Sequence, residues 1–491
     1  MEGFLRLRLL QLLALVFTVI CINVFASQSL TQTQRQGGAA QVLATPTPTP
    51  TPLPPPTVNI DAYRAVAGRI IGAALTSDRA YSRLAHLTDH IGHRLSGSKN
   101  LERAIDWAIA EMKRDRLDNV RKEKVMVPHW VRGDESLEML TPLPQKLAML
   151  GLGNSIGTPA DGITAAAVTV RNFDELDRIG EGVRGKIVVY NVPFTTYGAT
   201  VVYRLQSASR AARYGAVAAL VRSITPVSLQ TPHTGGMQYD TAQPRIPVAA
   251  ITIEAAELLQ RMHDRGDRPT LRLKMDAKFL PDAESANVIA ELKGSESPDE
   301  IVLISGHYDS WDVGQGAHDD GGGCIAAWEA ARLLKELGLK PRRTIRVVLY
   351  TNEENGLRGG NAYRDAHRAE LPKHVLAIES DSGIYRPEGL GLAETAPAQV
   401  RANLREIAKL LSGIGADGIA ATGGGADIGP IMREGVPGAS LDVEGSRYFD
   451  IHHTPADTLD KVNPRDLALC VATMAVMAYV VADLPESLAG K

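Results

Sequence analysis

The chain has 491 residues, 44% of them hydrophobic, and a formal net charge of −3, which is length enough for two domains. That charge balance gives no global reason to expect nucleic acid or an anionic membrane as a partner. With three cysteines, one of them inside the first apolar run, the chain relies on a hydrophobic core rather than a disulfide framework; two separate buried thiols are the default reading of Cys324 and Cys470, and a single bridge between them is the alternative.

Arg6 and Arg8 precede an almost uninterrupted apolar run from Leu9 to Phe25, and Val24-Phe25-Ala26 offers small or branched residues where a signal peptidase reads. Residues 1–26 are therefore expected to be an export signal cleaved after Ala26, giving a secreted or extracytoplasmic product. The run is close to the ~18 apolar residues of a membrane span, so an uncleaved N-terminal anchor is the alternative. Ile20 before Cys21 argues against a lipoprotein signal, and no later segment reads as apolar enough to cross a membrane. Residues 27–60 read as a Pro/Thr-rich spacer, because the prolines between Pro46 and Pro56 fix φ and favour an extended, solvated chain.

From Asp61 to Arg116 the pattern is helical. Ser77-Asp78 can cap a helix carrying Tyr81, Leu84 and Leu87, and Ser96-Gly97-Ser98 breaks the chain before a helix through Ile105, Trp107 and Met112. Residues 131–280 read as β-rich, with strands at Lys186 to Tyr190, Val217 to Val221 and Pro247 to Ile251 and one helical stretch from Ser207 to Tyr214. After Pro281 the chain reads as α/β. Apolar strands at Val288 to Ala290, Ile301 to Ser305, Thr344 to Tyr350 and Val375 to Ile378 alternate with helices, notably Gly323 to Leu337 and Arg465 to Ala482. Such strands predict a sheet covered on both faces, with the ligand site beyond the carboxyl ends of its strands.

Polar clusters fall at those ends. Gly306-His307-Tyr308-Asp309 follows one strand, and the carboxylate of Asp309 is placed to orient His307. His318-Asp319-Asp320 among glycines reads either as a turn capping the next helix or as a carboxylate presented to cations. Glu353-Glu354 follows the next strand, where two adjacent carboxylates ask for a cation or a proton to offset their repulsion. Glu379-Ser380-Asp381 follows the last, and His452-His453 lies further on. Each fragment alone has a bland reading as cap, turn or solvated charge; together they form a His/Asp/Glu set without cysteine, which suits a catalytic Zn²⁺ better than a closed structural one. Gly423 to Asp427 lacks the Lys-Ser/Thr ending of a phosphate loop and reads as a flexible loop at the site rim, with Asp427 either reaching a substrate amine or serving a turn.

These residues resemble the M28 family of co-catalytic zinc peptidases. The likeness is carried by Ser305 to Ala317, Asp319 to Gly323, Glu379 to Asp381, Gly435 to Leu441, Pro128 to Gly133, Gly151 to Pro159 and Gly185 to Asn191, and spans about Asp61 to Leu484. The resemblance implies an aminopeptidase-like α/β fold, a doubly covered mixed sheet built from residues 61–130 and 281–485, with a protease-associated (PA) domain inserted at 131–280. It also implies two zinc ions per subunit: His307 and Asp381 on one, Glu354 and His453 on the other, Asp319 bridging. Glu353 would be the general base, Asp309 and Asp457 partners behind the ligands, the Asp319–Asp320 peptide bond cis, and the assembly a homodimer. His452 is the alternative to His453. His318 departs from the family pattern, which usually has an apolar residue there, and its role is open.

The expected activity is hydrolysis of dipeptides or short peptides with a free C-terminus, through a hydroxide held between the metals. An aminopeptidase on the same scaffold is the second reading, since metal ligands do not choose the substrate terminus. A catalytically silent binding protein is the third.

Overall fold

A computed structural model describes residues 52–489. The export signal expected at 1–26 and the spacer as far as residue 51 lie outside the described residues. Thr57 already ties the chain to the body, its amide donating to Asn403 Oδ1 at 2.8 Å.

Three helices open the body: α1 (Arg64–Leu75), α2 (Arg79–His86) and α3 (Lys99–Arg114). The break at Ser96-Gly97-Ser98 works as expected, since Ser98 Oγ accepts the Leu101 amide at 3.2 Å and caps α3. Strand β1 (Asp118–Val131) follows. Next come β2 (Glu135–Thr141), β3 (Gln145–Leu147), β4 (Met149–Gly151), β5 (Ile163–Val170), β6 (Ile187–Tyr190), β7 (Ala218–Arg222), β8 (Val248–Ile251) and β9 (Thr270–Met275). The chain then returns through β10 (Lys278–Leu292), β11 (Ser297–His307), β12 (Arg343–Tyr350), β13 (His374–Glu379), β14 (Pro387–Leu392), β15 (Gly418–Ala420) and β16 (Gly438–Val443).

These strands form two eight-stranded sheets, ordered β1-β10-β12-β11-β13-β16-β14-β15 and β3-β2-β9-β5-β6-β7-β8-β4. In the first, β12, β11, β13 and β16 run parallel while β1, β10 and β14 pair antiparallel, so the sheet is mixed. Its central strands β11 and β13 are apolar on both sides over Ile301 to Ile304 and Leu376 to Ile378 because both sides are covered there. Val302 and Ile304 of β11 join a large core with α1 to α3, whereas Ile301 and Leu303 join a smaller core containing Tyr363, Ile428 and Ile431.

The second sheet leaves and rejoins the first where Val131 pairs with Lys278. It carries three helices rather than the one expected: α4 (Phe173–Ile179), α5 (Tyr197–Ala212) and α6 (Ile253–Asp264). Each is started by a capping side chain, Asn172, Thr196 and Thr252, accepting an amide three residues on at 2.8, 3.2 and 3.1 Å. Thr200, Val201 and Val202 at the start of α5 are β-branched and read as strand in isolation; the Thr196 cap and packing override that local preference.

The first body continues with α7 (Gly322–Glu336), α8 (Arg358–Ala366), α9 (Ala398–Ala408) and α10 (Pro464–Asp483). By length and composition α10 is apolar enough to cross a membrane, which corrects the reading that no later segment is, but most of it is buried inside the fold. Its residues from Leu467 to Ala482 are buried against α7 and α1. Each fully buried Leu, Met or Val there contributes roughly 1.5–3 kcal/mol, so a charge introduced at Ala475 would unseat the helix. Cys324 on α7 and Cys470 on α10 are both free and buried.

Candidate metal centre

Strands β11, β12 and β13 end side by side, His307 pairing with Tyr350 and Ser305 with Glu379, so the polar segments that follow them converge. Asp319 sits at the middle of the cluster. Its Oδ1 is 3.1 Å from His307 Nε2, and its Oδ2 is 3.1 Å from His453 Nε2. Beyond His307 lies Asp381 Oδ1 at 3.3 Å, and beyond His453 lies Glu354 Oε2 at 3.1 Å. The five residues singled out in the sequence are thus brought together as two groups meeting at one carboxylate.

Several groups behind these side chains set their positions. Asp457 Oδ1 accepts the amides of Ala317 and His318 at 3.1 and 2.8 Å, and its Oδ2 accepts that of Asp319 at 3.1 Å. The Asp319–Asp320 peptide bond is cis. The Asp320 carboxylate is engaged by backbone amides: it accepts the His307 amide at 3.0 Å and, at the start of α7, the Gly323 amide at 3.1 Å. Gly306 makes that contact possible, for a Cβ there would lie 2.3 Å from Asp320 Oδ2. Asp309 touches His307 chiefly through its carbonyl, 3.1 Å from Nδ1, its carboxylate standing 3.8 Å away. That carboxylate instead accepts the Glu353 and Glu354 amides at 3.0 and 3.3 Å, fixing the turn that carries both glutamates.

His452 Nε2 is 3.6 Å from Asp319 Oδ2, and its ring stacks on His453 at 3.5 Å between centroids. Only His453 of the two also meets Glu354. His318 does not line the cavity; its Nδ1 accepts the Ile384 amide at 3.0 Å and its ring lies 4.8 Å from that of Tyr385. The Gly423 to Asp427 loop is packed rather than flexible at the rim. A Cβ on Gly425 would lie 2.2 Å from the Glu379 carboxyl carbon, and Asp427 is fully buried, with no hydrogen-bond partner for its carboxylate oxygens among the described residues.

The electrostatics are those of crowded acids. Burial, reinforced by Asp381 and Glu354, pushes the Glu353 carboxyl well above the usual carboxylate range. Burial and Asp319 push Glu354 up to about 7. Although burial opposes it, Glu354 and Asp319 draw His453 up to about 10. Burial likewise opposes ionisation of Asp319, but bonding to His307 and His453 outweighs it and holds the group low.

This donor set fits a divalent cation. Asp319 Oδ2 is buried without a well-aligned hydrogen bond, although His453 Nε2 lies 3.1 Å from it. Tetrahedral zinc with ligand bonds of about 2.0–2.1 Å separates neighbouring donors by about 3.3 Å, close to the spacings around Asp319. Ligand-type atoms cluster as Asp319/His452/His453, His307/Asp320/Asp381 and His307/Asp319/Glu354. Asp320 is the weakest of these, since its oxygens are already engaged by amides.

The centre opens on a cavity of about 650 Å³ lined by Asp319, Glu353, Glu354, Asp381 and His453 together with Tyr197 and Arg204 from the second sheet's segment. Residues 287–478 match the model of peptidase family M28. Carboxypeptidase Q of Bos taurus is 48% identical over 87% of this chain and 90% of its own length. The chain belongs to peptidase family M28. It is therefore a zinc metallo-exopeptidase with a peptide substrate. The crystal structure of an M28 peptidase precursor from Shewanella amazonensis SB2B superposes with a TM-score of 0.83 at 38% identity, covering 87% of this chain and 98% of that one. A zinc aminopeptidase from Bacillus subtilis shares the fold at 22% identity, with a TM-score of 0.63 over 82% of this M28 chain and 94% of its own.

Reading along the sequence missed Arg94, Arg204 and Tyr197. Arg94 is fully buried and donates to the carbonyls of Gly92, Tyr308, Gln315 and Gly316 at 2.9–3.0 Å, holding the loop between His307 and Asp319. Nothing in a single arginine far from that loop marks it for such a role; only the fold supplies its partners.

Proposed function

We propose that this peptidase is an exported two-zinc exopeptidase that removes residues from dipeptides or short peptides in the carboxypeptidase direction, with Glu353 as general base. The observation that carries the reading is the split carboxylate of Asp319, one oxygen beside His307 and the other beside His453. One ion is assigned to His307, Asp381 and Asp319, the other to Glu354, His453 and Asp319. Bound there, zinc supplies Lewis acidity at the scissile carbonyl and a lowered pKa for water.

The remaining steps belong to the chain's own groups. Glu353 lines the cavity and belongs to neither donor pair, and its amide is fixed by Asp309 Oδ1. Burial raises the basicity of its carboxylate, which suits it to take a proton from water and return it to the leaving amine. Asp457 and Asp309 keep the Asp319 turn and the Glu353-Glu354 turn in register.

Export is supported by the charged start and apolar run over residues 1–26. A PA-like domain at 131–280 is supported by the second sheet, and a homodimer by the family likeness alone. The direction of attack is supported by the likeness to carboxypeptidase Q. Hydrolysis of an unblocked dipeptide and of its N-acetylated counterpart by zinc-loaded protein tests the reading. Cleavage of both is expected; cleavage abolished by N-acetylation alone would assign the aminopeptidase direction instead.

A further inference from the structure

We propose that Arg204 is the residue that reads the substrate's free C-terminal carboxylate, oriented by Tyr197, and so sets the direction of attack. This deepens the exopeptidase reading and rests on it. Arg204 lies on α5, outside the sheet that carries the metal-type residues, yet its side chain lines the same cavity and is 8% exposed.

Its charge balance distinguishes it from other buried arginines. Arg83 pairs with Asp115 at 2.6 Å, Arg132 with Asp312 at 2.6 Å and Arg346 with Glu291 at 2.8 Å. Arg94 is enclosed by carbonyl oxygens. Arg204 donates to Gly236 O at 3.2 Å and to Tyr197 Oη at 2.7 Å, with His453 Nδ1 3.4 Å from its Nη1. None of these partners, among the described residues, is a carboxylate. A guanidinium has five N–H donors, so at least two are left over, more if His453 Nδ1 donates to the Thr234 carbonyl 3.3 Å away. A buried cation without an anion is costly. One that lines a cavity is stabilised when an anionic ligand enters, and a planar fork of donors matches a carboxylate.

The spacing fits removal of a single residue. Arg204 Nη1 is adjacent to the Nδ1 edge of His453, whose Nε2 edge faces Asp319 and Glu354. The guanidinium therefore stands one imidazole ring and a further 3.4 Å beyond the donors that face Asp319 and Glu354. A C-terminal carboxylate lies one residue past the scissile bond, and one residue spans ~3.8 Å. Beside it, Tyr197 stacks on Phe449 at 5.1 Å and both rings line the cavity, an aromatic wall for an apolar terminal side chain. Low polarity there strengthens the ion pair.

The test compares alanyl-phenylalanine with alanyl-phenylalaninamide on full-length zinc-loaded protein, wild type against Arg204→Gln and Arg204→Lys. Wild type is expected to prefer the free acid by about 10- to 150-fold in kcat/KM, the value of a charge-assisted hydrogen bond. Arg204→Gln should bring the acid-to-amide ratio toward one, chiefly through KM, with Arg204→Lys between. Binding of the same two peptides, measured by calorimetry on a Glu353→Gln background, should show the same preference and the same loss. That preference persisting in a protein that turns over neither peptide would sink the exopeptidase reading while upholding Arg204 as the carboxylate reader. A ratio unchanged by Arg204→Gln, or equal losses on acid and amide with zinc released, would overturn the proposal and leave Arg204 as a prop for His453.

Discussion

Asp457 Oδ2 accepts the backbone amide of Asp319 at 3.1 Å, so the carboxylate shared by the two donor groups is aimed by a second carboxylate 138 residues further along the chain. Asp457 also takes the two preceding amides, and its replacement should loosen the whole turn. Asp457→Asn is expected to weaken zinc binding by about 10- to 100-fold with the fold intact, as read by chelator competition alongside circular dichroism. Unchanged zinc affinity would show that the turn holds itself.

Glu353 is assigned the proton transfers. Glu353→Gln should keep zinc and lower kcat by about 10²–10⁴-fold, the usual span of general-base catalysis. Near-normal turnover in a variant with confirmed zinc content would remove Glu353 from the mechanism.

Zinc should also act as a structural ligand, because its site gathers buried acids that repel one another. Free zinc held at 100 times its dissociation constant adds about 2.7 kcal/mol of stability. Chelation is expected to lower the thermal midpoint by several degrees and zinc addition to restore it. An unfolding midpoint insensitive to chelator would mean the acids are balanced without a cation.

Gly306 lets Asp320 approach the amide of His307. Gly306→Ala would place a methyl 2.3 Å from Asp320 Oδ2 and 2.9 Å from the Cys324 amide nitrogen. Overpacking of this kind costs about 1–3 kcal/mol, so a shifted denaturant midpoint and weakened zinc binding are expected together. Loss of neither would show that the contact can relax.

Much of this centre was legible from sequence because β11, β12 and β13 carry apolar runs, Ile301 to Ile304, Val347 to Leu349 and Val375 to Ile378, each followed by a polar segment. Their carboxyl ends had to meet once the sheet was covered on both faces. The long ribbon of β1 and β10 was less legible, since the stretch from Arg121 to Lys124 reads as solvated charge and becomes a strand only by pairing. The Gly423 to Asp427 segment looked like a mobile rim because glycine signals freedom in isolation; here it is the space beside Glu379 that requires it. Asp320 and Asp319 are neighbours of identical type, and the two roles separate only when the amides around Asp320 are seen. Arg204 carried no signal at all, because its unusual feature is the lack of a carboxylate partner among the described residues.

Two zinc ions are expected to flank Asp319. Anomalous diffraction at the zinc edge from crystals of zinc-loaded protein tests it directly. Two peaks are predicted, one between Asp319, His307 and Asp381 and one between Asp319, His453 and Glu354. A single peak at full occupancy, or a second peak away from Asp319, would show that Asp319 does not join two zinc ions.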